Sequence, residues 1–265
     1  MKNNSAKSMI FNPIIISNTI LLFMLSVRLF DNYLGDWIFA SKIPARFSYF
    51  YAFSLYILTI LLLWLNKNEL TEMNIDSSFL SFVLFGGALL FLYLPIELGI
   101  VFSAVMFFFY LELRNDRFDA RKNNTYPSWI WLLVVSAIGL AWQPVLLYSP
   151  TIKSSLGADE VFQAFVEAQL PGIIVEEILF RGALAAFLRR SGFREYTILI
   201  IPSILFWISH HKYLLLHNTY FFWVPLPLFS LLLGIVTLKS KSLIPSTVAH
   251  FLFNFISSII LLIYS

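Results

Sequence analysis

Glu176 and Glu177 stand side by side in the apolar run PGIIVEEILFRGALAAFLRR, with Arg181 four residues on. An ionised group among Ile, Val, Leu and Phe at bilayer depth costs at least ~3 kcal/mol on insertion scales, so each charge needs a partner. At ~100° per residue, Glu177 and Arg181 share one helical face and can pair, whereas Glu176 is turned about a quarter of the way round and is left for another group. The chain has four histidines from which to choose, His210, His211, His217 and His250. His250 lies within SLIPSTVAHFLFNF with Asn254 one turn on, so both point from one face, and His210 follows Phe206 by one turn in ILFWISHHK. A carboxylate, imidazoles and a carboxamide admit water activation beside oxyanion donors, a proton relay, or zinc ligation. The residue types leave these three open.

These groups act together only if the helices bring them to one depth. Counted from the charged end of each helix at ~1.5 Å per residue, Glu176 lies ~20 Å from Arg189 and His210 ~22 Å from Glu195. On the last helix Asn254 lies ~20 Å and His250 ~13 Å from Lys241. The spacing therefore predicts one polar layer built from three separate helices. His211 and His217 are expected near a helix end at the interface. A one-residue shift in register would exchange His210 for His211.

Composition sets the surroundings. The 265 residues are 59% apolar and 12% charged, with a mean hydropathy of +0.79. Water-soluble domains usually carry ~25% charged residues, so a polytopic membrane protein is expected. The net charge of +3 comes from Lys and Arg in short loops and points to membrane orientation, not to nucleic acid. With no cysteine, disulfides, thiolate ligands and a cysteine nucleophile are excluded. The 28 Phe and seven Trp read as packing and lipid-facing residues.

Taking ~20 apolar residues per crossing, spans are expected at 9–27, 47–65, 77–94, 97–113, 128–148, 168–188, 196–213, 219–238 and 243–263. That is an all-α transmembrane bundle of nine spans, or eight if the pair around Pro95 is broken or re-entrant. With nine, Lys2, Lys7, Lys67, Arg114, Arg117, Arg121, Lys122, Arg189, Arg190, Arg194, Lys239 and Lys241 share one side. Only Arg28, Lys42, Arg46, Lys153 and Lys212 lie on the other, which places the N-terminus in the cytoplasm of a multi-pass cell-membrane protein. The polar loop Glu112 to Pro127 divides an N-terminal helical part, 1–127, from a part carrying the chemistry, 128–265. Glu160, Gln163 and Glu167 make a polar stripe, after which Pro171 starts a new helix or kinks this one.

Other chemistries are weakly served. No H-E-x-x-H motif accompanies the zinc-type ligands. Ser209 adjoins His210, but neighbours on a helix diverge by ~100° and are not expected to form a nucleophile and base. Asp31, Asp36 and Asp76 are expected in loops or at helix ends, so no aspartate pair lies inside a span.

Taken together, E176-E177-x-x-x-R181 continuing into Gly182, F206-x-x-x-H210, and H250-x-x-x-N254 preceded by Ser242-Leu-Ile-Pro245 resemble the CPBP family of intramembrane proteases. That family includes Rce1-type CAAX prenyl endopeptidases and bacteriocin-processing or immunity-linked (Abi) relatives. The resemblance covers about Trp129 to Ser265. It implies a glutamate-type endopeptidase without cofactor, metal or covalent intermediate, acting on a hydrophobic or lipidated peptide reached through the bilayer. By position, Glu176 is implied as general base on a water that His210 shares, and His250 with Asn254 as the oxyanion hole. Glu177 and Arg181 are implied to hold the helix geometry. The rival readings are a proton-coupled transporter, a catalytically idle immunity or scaffold protein, and a zinc peptidase. Whether the substrate is a CAAX protein, a leader, a bacteriocin or a sorting signal is not carried by these motifs.

Overall fold

The computed structural model describes residues 12–40, 45–73, 80–90, 96–115, 130, 133, 157–167, 169–215 and 219–264, and among these every regular element is helical. Asn12 accepts a side-chain bond from the Ile14 amide at 3.0 Å, and Pro13 occupies the first helical position, so α1 (Pro13–Ala40) starts with a cap and a residue that has no amide to leave unpaired. The expected first span ended at 27, but the helix runs on through Arg28, Asp31 and Asp36. Arg28 is thus a helix residue instead of a loop charge, because no proline or glycine interrupts the run before Gly35.

Next come α2 (Ala45–Leu65), α3 (Lys67–Glu72), α4 (Leu80–Leu90) and α5 (Ile96–Asn115). The expected span at 128–148, apart from Ile130 and Leu133, lies outside the described residues, as does most of the polar loop before it. The chain resumes in α6 (Ala158–Glu167), whose stripe residues Glu160, Gln163 and Glu167 have side chains outside the description. Gln169 then turns left-handed (φ 54°), and Pro171 falls in the first turn of α7 (Leu170–Glu177), so the proline begins a helix and does not bend an existing one.

The helical path continues from α7 through a π-helical segment, Ile178–Leu184, into α8 (Ala185–Arg190). Gly192 at φ +79° ends it, with the amides of Gly192 and Phe193 returned to the carbonyls of Arg189 and Leu188. Then follow α9 (Glu195–Ser209), α10 (Lys212–Leu215), α11 (Thr219–Trp223), α12 (Pro225–Ser240) and α13 (Ile244–Tyr264).

Small residues let α9 and α12 approach closely. The Ser230 hydroxyl donates to the Ser203 carbonyl at 2.9 Å, and a Cβ built on Gly234 would lie 2.7 Å from Leu199 Cδ1. At one end of the bundle Arg190 binds Glu69 at 2.7 Å and Asn18 at 2.8 Å, tying α8 to α3 and α1. Between these ties Tyr56, Phe102, Ile174, Ile178, Phe180 and Phe206 are fully buried.

The outer faces are also apolar. Ile200, Ile204 and Ile208 repeat every fourth residue along α9 and are each more than 40% exposed, as are Leu22, Phe23 and Phe30 on α1 and Ile100, Val101, Phe107 and Phe108 on α5. Such a surface suits hydrocarbon and not water. Two stretches, Pro13–Phe30 and Thr219–Ser240, are long and apolar enough to cross a bilayer, with shorter apolar helices at Tyr51–Leu65, Gly99–Phe108, Glu195–Ser209 and Ile244–Ile259. The chain is a helical protein with apolar helices fit for a membrane.

Candidate active site

Glu176 and Glu177 close α7 just before the chain widens into π geometry, a feature often found where helices carry function. Successive residues on the helix point about a quarter-turn apart, so the two carboxylates face different neighbours. Glu177, fully buried, takes the partner the spacing predicted. Arg181 Nη1 donates to its Oε1 at 3.3 Å. Arg181 is further held by the carbonyl of Ser230 at 3.2 Å and its hydroxyl at 3.1 Å, and its guanidinium lies over the Phe206 ring, 4.1 Å from the centroid.

His250 comes from α13. Its Nδ1 lies 3.0 Å from Glu177 Oε1, and an ionised carboxylate only accepts, so Nδ1 bears the hydrogen and Nε2 points the other way. That Nε2 is 3.8 Å from Glu176 Oε2. His250 therefore bridges the two acids: one nitrogen is committed to Glu177 and the other faces Glu176. Phe206 and Phe229 hold the ring edge to face, with centroids at 5.4 and 5.8 Å.

His210 sits at the C-cap of α9, where the backbone has left helical geometry (φ −99°, ψ 20°) and the ring can turn back. Its Nδ1 lies 2.8 Å from the Phe206 carbonyl, an obligate acceptor, so this nitrogen too carries the hydrogen. The Nε2 of His210 is left facing Glu176 Oε2 at 3.8 Å. The turn also overrides the expectation that Ser209 and His210 diverge, since Ser209 Oγ is 3.2 Å from Nδ1. Because that nitrogen is the protonated one, it has no lone pair with which to activate the hydroxyl, which donates to the Phe206 carbonyl at 2.7 Å. His211 turns its Nδ1 to the Ile208 carbonyl of its own helix at 3.3 Å. The register thus assigns His210, and not His211, to the cluster. His217 lies outside the described residues.

Two residues escaped the sequence reading in different ways. Phe206, quoted only for its spacing, is the floor of the site. Its ring touches Arg181, His210 and His250, and its carbonyl fixes the His210 tautomer. Arg28 of α1 ion-pairs with Glu176 Oε1 and lies 3.4 Å from His210 Nε2. Only an internal arginine in an apolar stretch could have signalled it, and the expected helix end at 27 hid that. Asn254 follows His250 by one turn of α13 and is half-buried.

The result is a largely buried cluster of charge in which Glu176 Oε2 faces two imidazole nitrogens at equal distance. The 3.8 Å gaps are too long for direct hydrogen bonds and short enough for one bridging water. No group of three or more metal-ligating side chains with suitable geometry occurs among the described residues. Residues 158–256 match the family model described as Type II CAAX prenyl endopeptidase Rce1-like. Comparisons with curated proteins and with solved structures return no match.

Proposed function

From the premise that residues 158–256 form an Rce1-like domain, we propose that this protein is a glutamate-type intramembrane endopeptidase. It cuts a hydrophobic or lipidated peptide inside a multi-pass helical bundle of eight or nine spans. One observation carries the reading: Glu176 Oε2 stands 3.8 Å from both His210 Nε2 and His250 Nε2, so that three groups from three separate stretches of the chain converge.

In this mechanism a water seated between Glu176 and His210 gives a proton to the carboxylate as its oxygen bonds to the scissile carbonyl carbon. The carbonyl π pair moves onto oxygen, where Asn254 and, when its Nε2 also carries a hydrogen, His250 donate hydrogen bonds. Collapse re-forms the carbonyl and breaks the C–N bond, and the proton taken by Glu176 passes to the leaving amine. Glu177 orients His250 through Nδ1, and Arg181 holds Glu177 in place. Zinc is disfavoured as the activator, because the Arg28 cation lies 3.4 Å from the His210 nitrogen that would have to bind it.

The test is cleavage of a farnesylated peptide ending in a CAAX sequence by the full chain in proteoliposomes, beside mass-spectrometric comparison of membrane peptides with and without the protein. Wild type cuts and Glu176→Gln does not, while a chelator leaves the rate unchanged. Wild-type turnover by Glu176→Gln overturns the mechanism, and silencing by chelator makes it a metal enzyme. The same buried charges favour one rival, proton-coupled transport, which predicts proton flux in proteoliposomes holding no peptide.

A further inference from the structure

We infer that Arg28 is a positioning residue of this site, supplied by a helix that lies outside the matched segment. The inference rests on the endopeptidase reading above and adds a part to it. The Glu176 carboxylate has two oxygens with different fates. Oε1 is taken by Arg28, and Oε2 faces the two imidazoles. With no grip on Oε1, rotation about the last side-chain bond would exchange the oxygens and blur the aim, since that torsion is broad and two-fold. A guanidinium on one oxygen fixes the plane of the carboxylate and therefore where a base lone pair points.

Arg28 also lies 3.4 Å from His210 Nε2, which makes that nitrogen an acceptor and pins the second member of the pair. One side chain thus sets the geometry of both groups that would share the water.

Charge balance gives an independent reason for a second arginine. Among the described residues, α7 brings two carboxylates to the cluster and the π segment one guanidinium, leaving a surplus negative charge in an apolar setting. Arg28 supplies the missing positive charge at the oxygen of Glu176 that no imidazole faces. It comes from α1, which packs against the π segment and α9 as well as α2. The N-terminal helix is therefore part of the catalytic unit.

The test uses the full chain and three variants, Arg28→Met, Arg28→Lys and Arg28→Met with Glu176→Gln. On the farnesylated CAAX peptide, Arg28→Met is expected to lose about 100-fold in kcat, with KM within about threefold of wild type. Arg28→Lys keeps the charge and recovers most of that loss, which a purely packing role would not give, because Met fills nearly the same volume. A raised KM at unchanged kcat overturns the proposal by making Arg28 a substrate contact, and wild-type kcat in Arg28→Met overturns it outright. Thermal unfolding in detergent gives a readout without substrate. The ion pair predicts that the Arg28→Met and Glu176→Gln effects are non-additive in the double variant, and additivity overturns the proposal. Should wild type fail to cut the peptide, the endopeptidase reading fails for that substrate while the unfolding cycle still decides the role of Arg28.

Discussion

His210 and His211 are chemically identical neighbours, yet only one can serve Glu176. His210 donates from Nδ1 to the Phe206 carbonyl and turns Nε2 inward, whereas His211 directs its ring to its own last turn. Replacing His210 with Ala is expected to cut kcat by a factor of about 10²–10⁴, the usual share of a positioned acid or base. His211→Ala keeps most activity, so equal losses in parallel assays would refute the assignment. Arg181 poses the opposite case of a charge needed for folding. It and Glu177 are both almost wholly enclosed, so Arg181→Leu leaves a buried carboxylate uncompensated and is expected to destabilise the fold by about 3–5 kcal/mol. Adding Glu177→Gln recovers part of that loss, and unfolding in mixed micelles reads both. The Glu177–Arg181 pair followed from their four-residue spacing alone. The partner of Glu176 did not, because it is 148 residues away.

Helices position these groups through three devices. Pro171 after left-handed Gln169 restarts the helix, so that the acids lie at its far end, directly before the π segment. The C-cap of α9 frees His210 to turn back, and small residues draw α9 and α12 together so that Ser203, Ser230 and Arg181 interlock. Gly234 lies at this crossing. An added methyl there meets only the mobile end of Leu199 at 2.7 Å and the Ser203 hydroxyl at 3.3 Å. Gly234→Ala is therefore expected to fold with at most a small drop in thermal midpoint. The bulkier Gly234→Val must part the helices and is expected to lower both midpoint and activity. Equal midpoints for the two variants would show that the crossing is looser than its geometry implies. The segments at 170–177 and 185–190 were readable as helix from their apolar run. The π segment between them was not, since its apolar residues would suit an ordinary α-helix equally well.

At the scale of the molecule, the outer faces of several described helices are rich in large apolar side chains. The ridge Ile200, Ile204, Ile208 lays a line of large apolar side chains along the outside of α9, a surface that suits lipid. An arginine at Ile204 is expected to cost about 2.5–3.5 kcal/mol of insertion free energy if the site lies near mid-bilayer. The measurement is the fraction of Ile204→Arg recovered in carbonate-washed membranes, and undiminished recovery would place that face away from lipid. The charged cluster is enclosed on the other side of the same helix, where Phe206 and Phe229 screen it. Helix α1 completes it, so removal of the first helices would expose Glu176 as well as shorten the bundle.

The sequence by itself determined that the chain is helical and apolar and that Glu177 pairs with Arg181. It also selected Glu176, His210, His250 and Asn254 as the polar groups worth bringing together. These follow from local rules, a hydropathy average and a helical repeat, which act over a few residues. Tertiary structure alone decided that Arg28 holds Glu176, that Phe206 is the floor, that His250 joins both acids, and that Ser209 lies against His210 without being activated by it. Those contacts depend on where helices far apart in the chain cross and on how rings turn at their ends. Burial requires every charge to find a partner, but packing chooses which one.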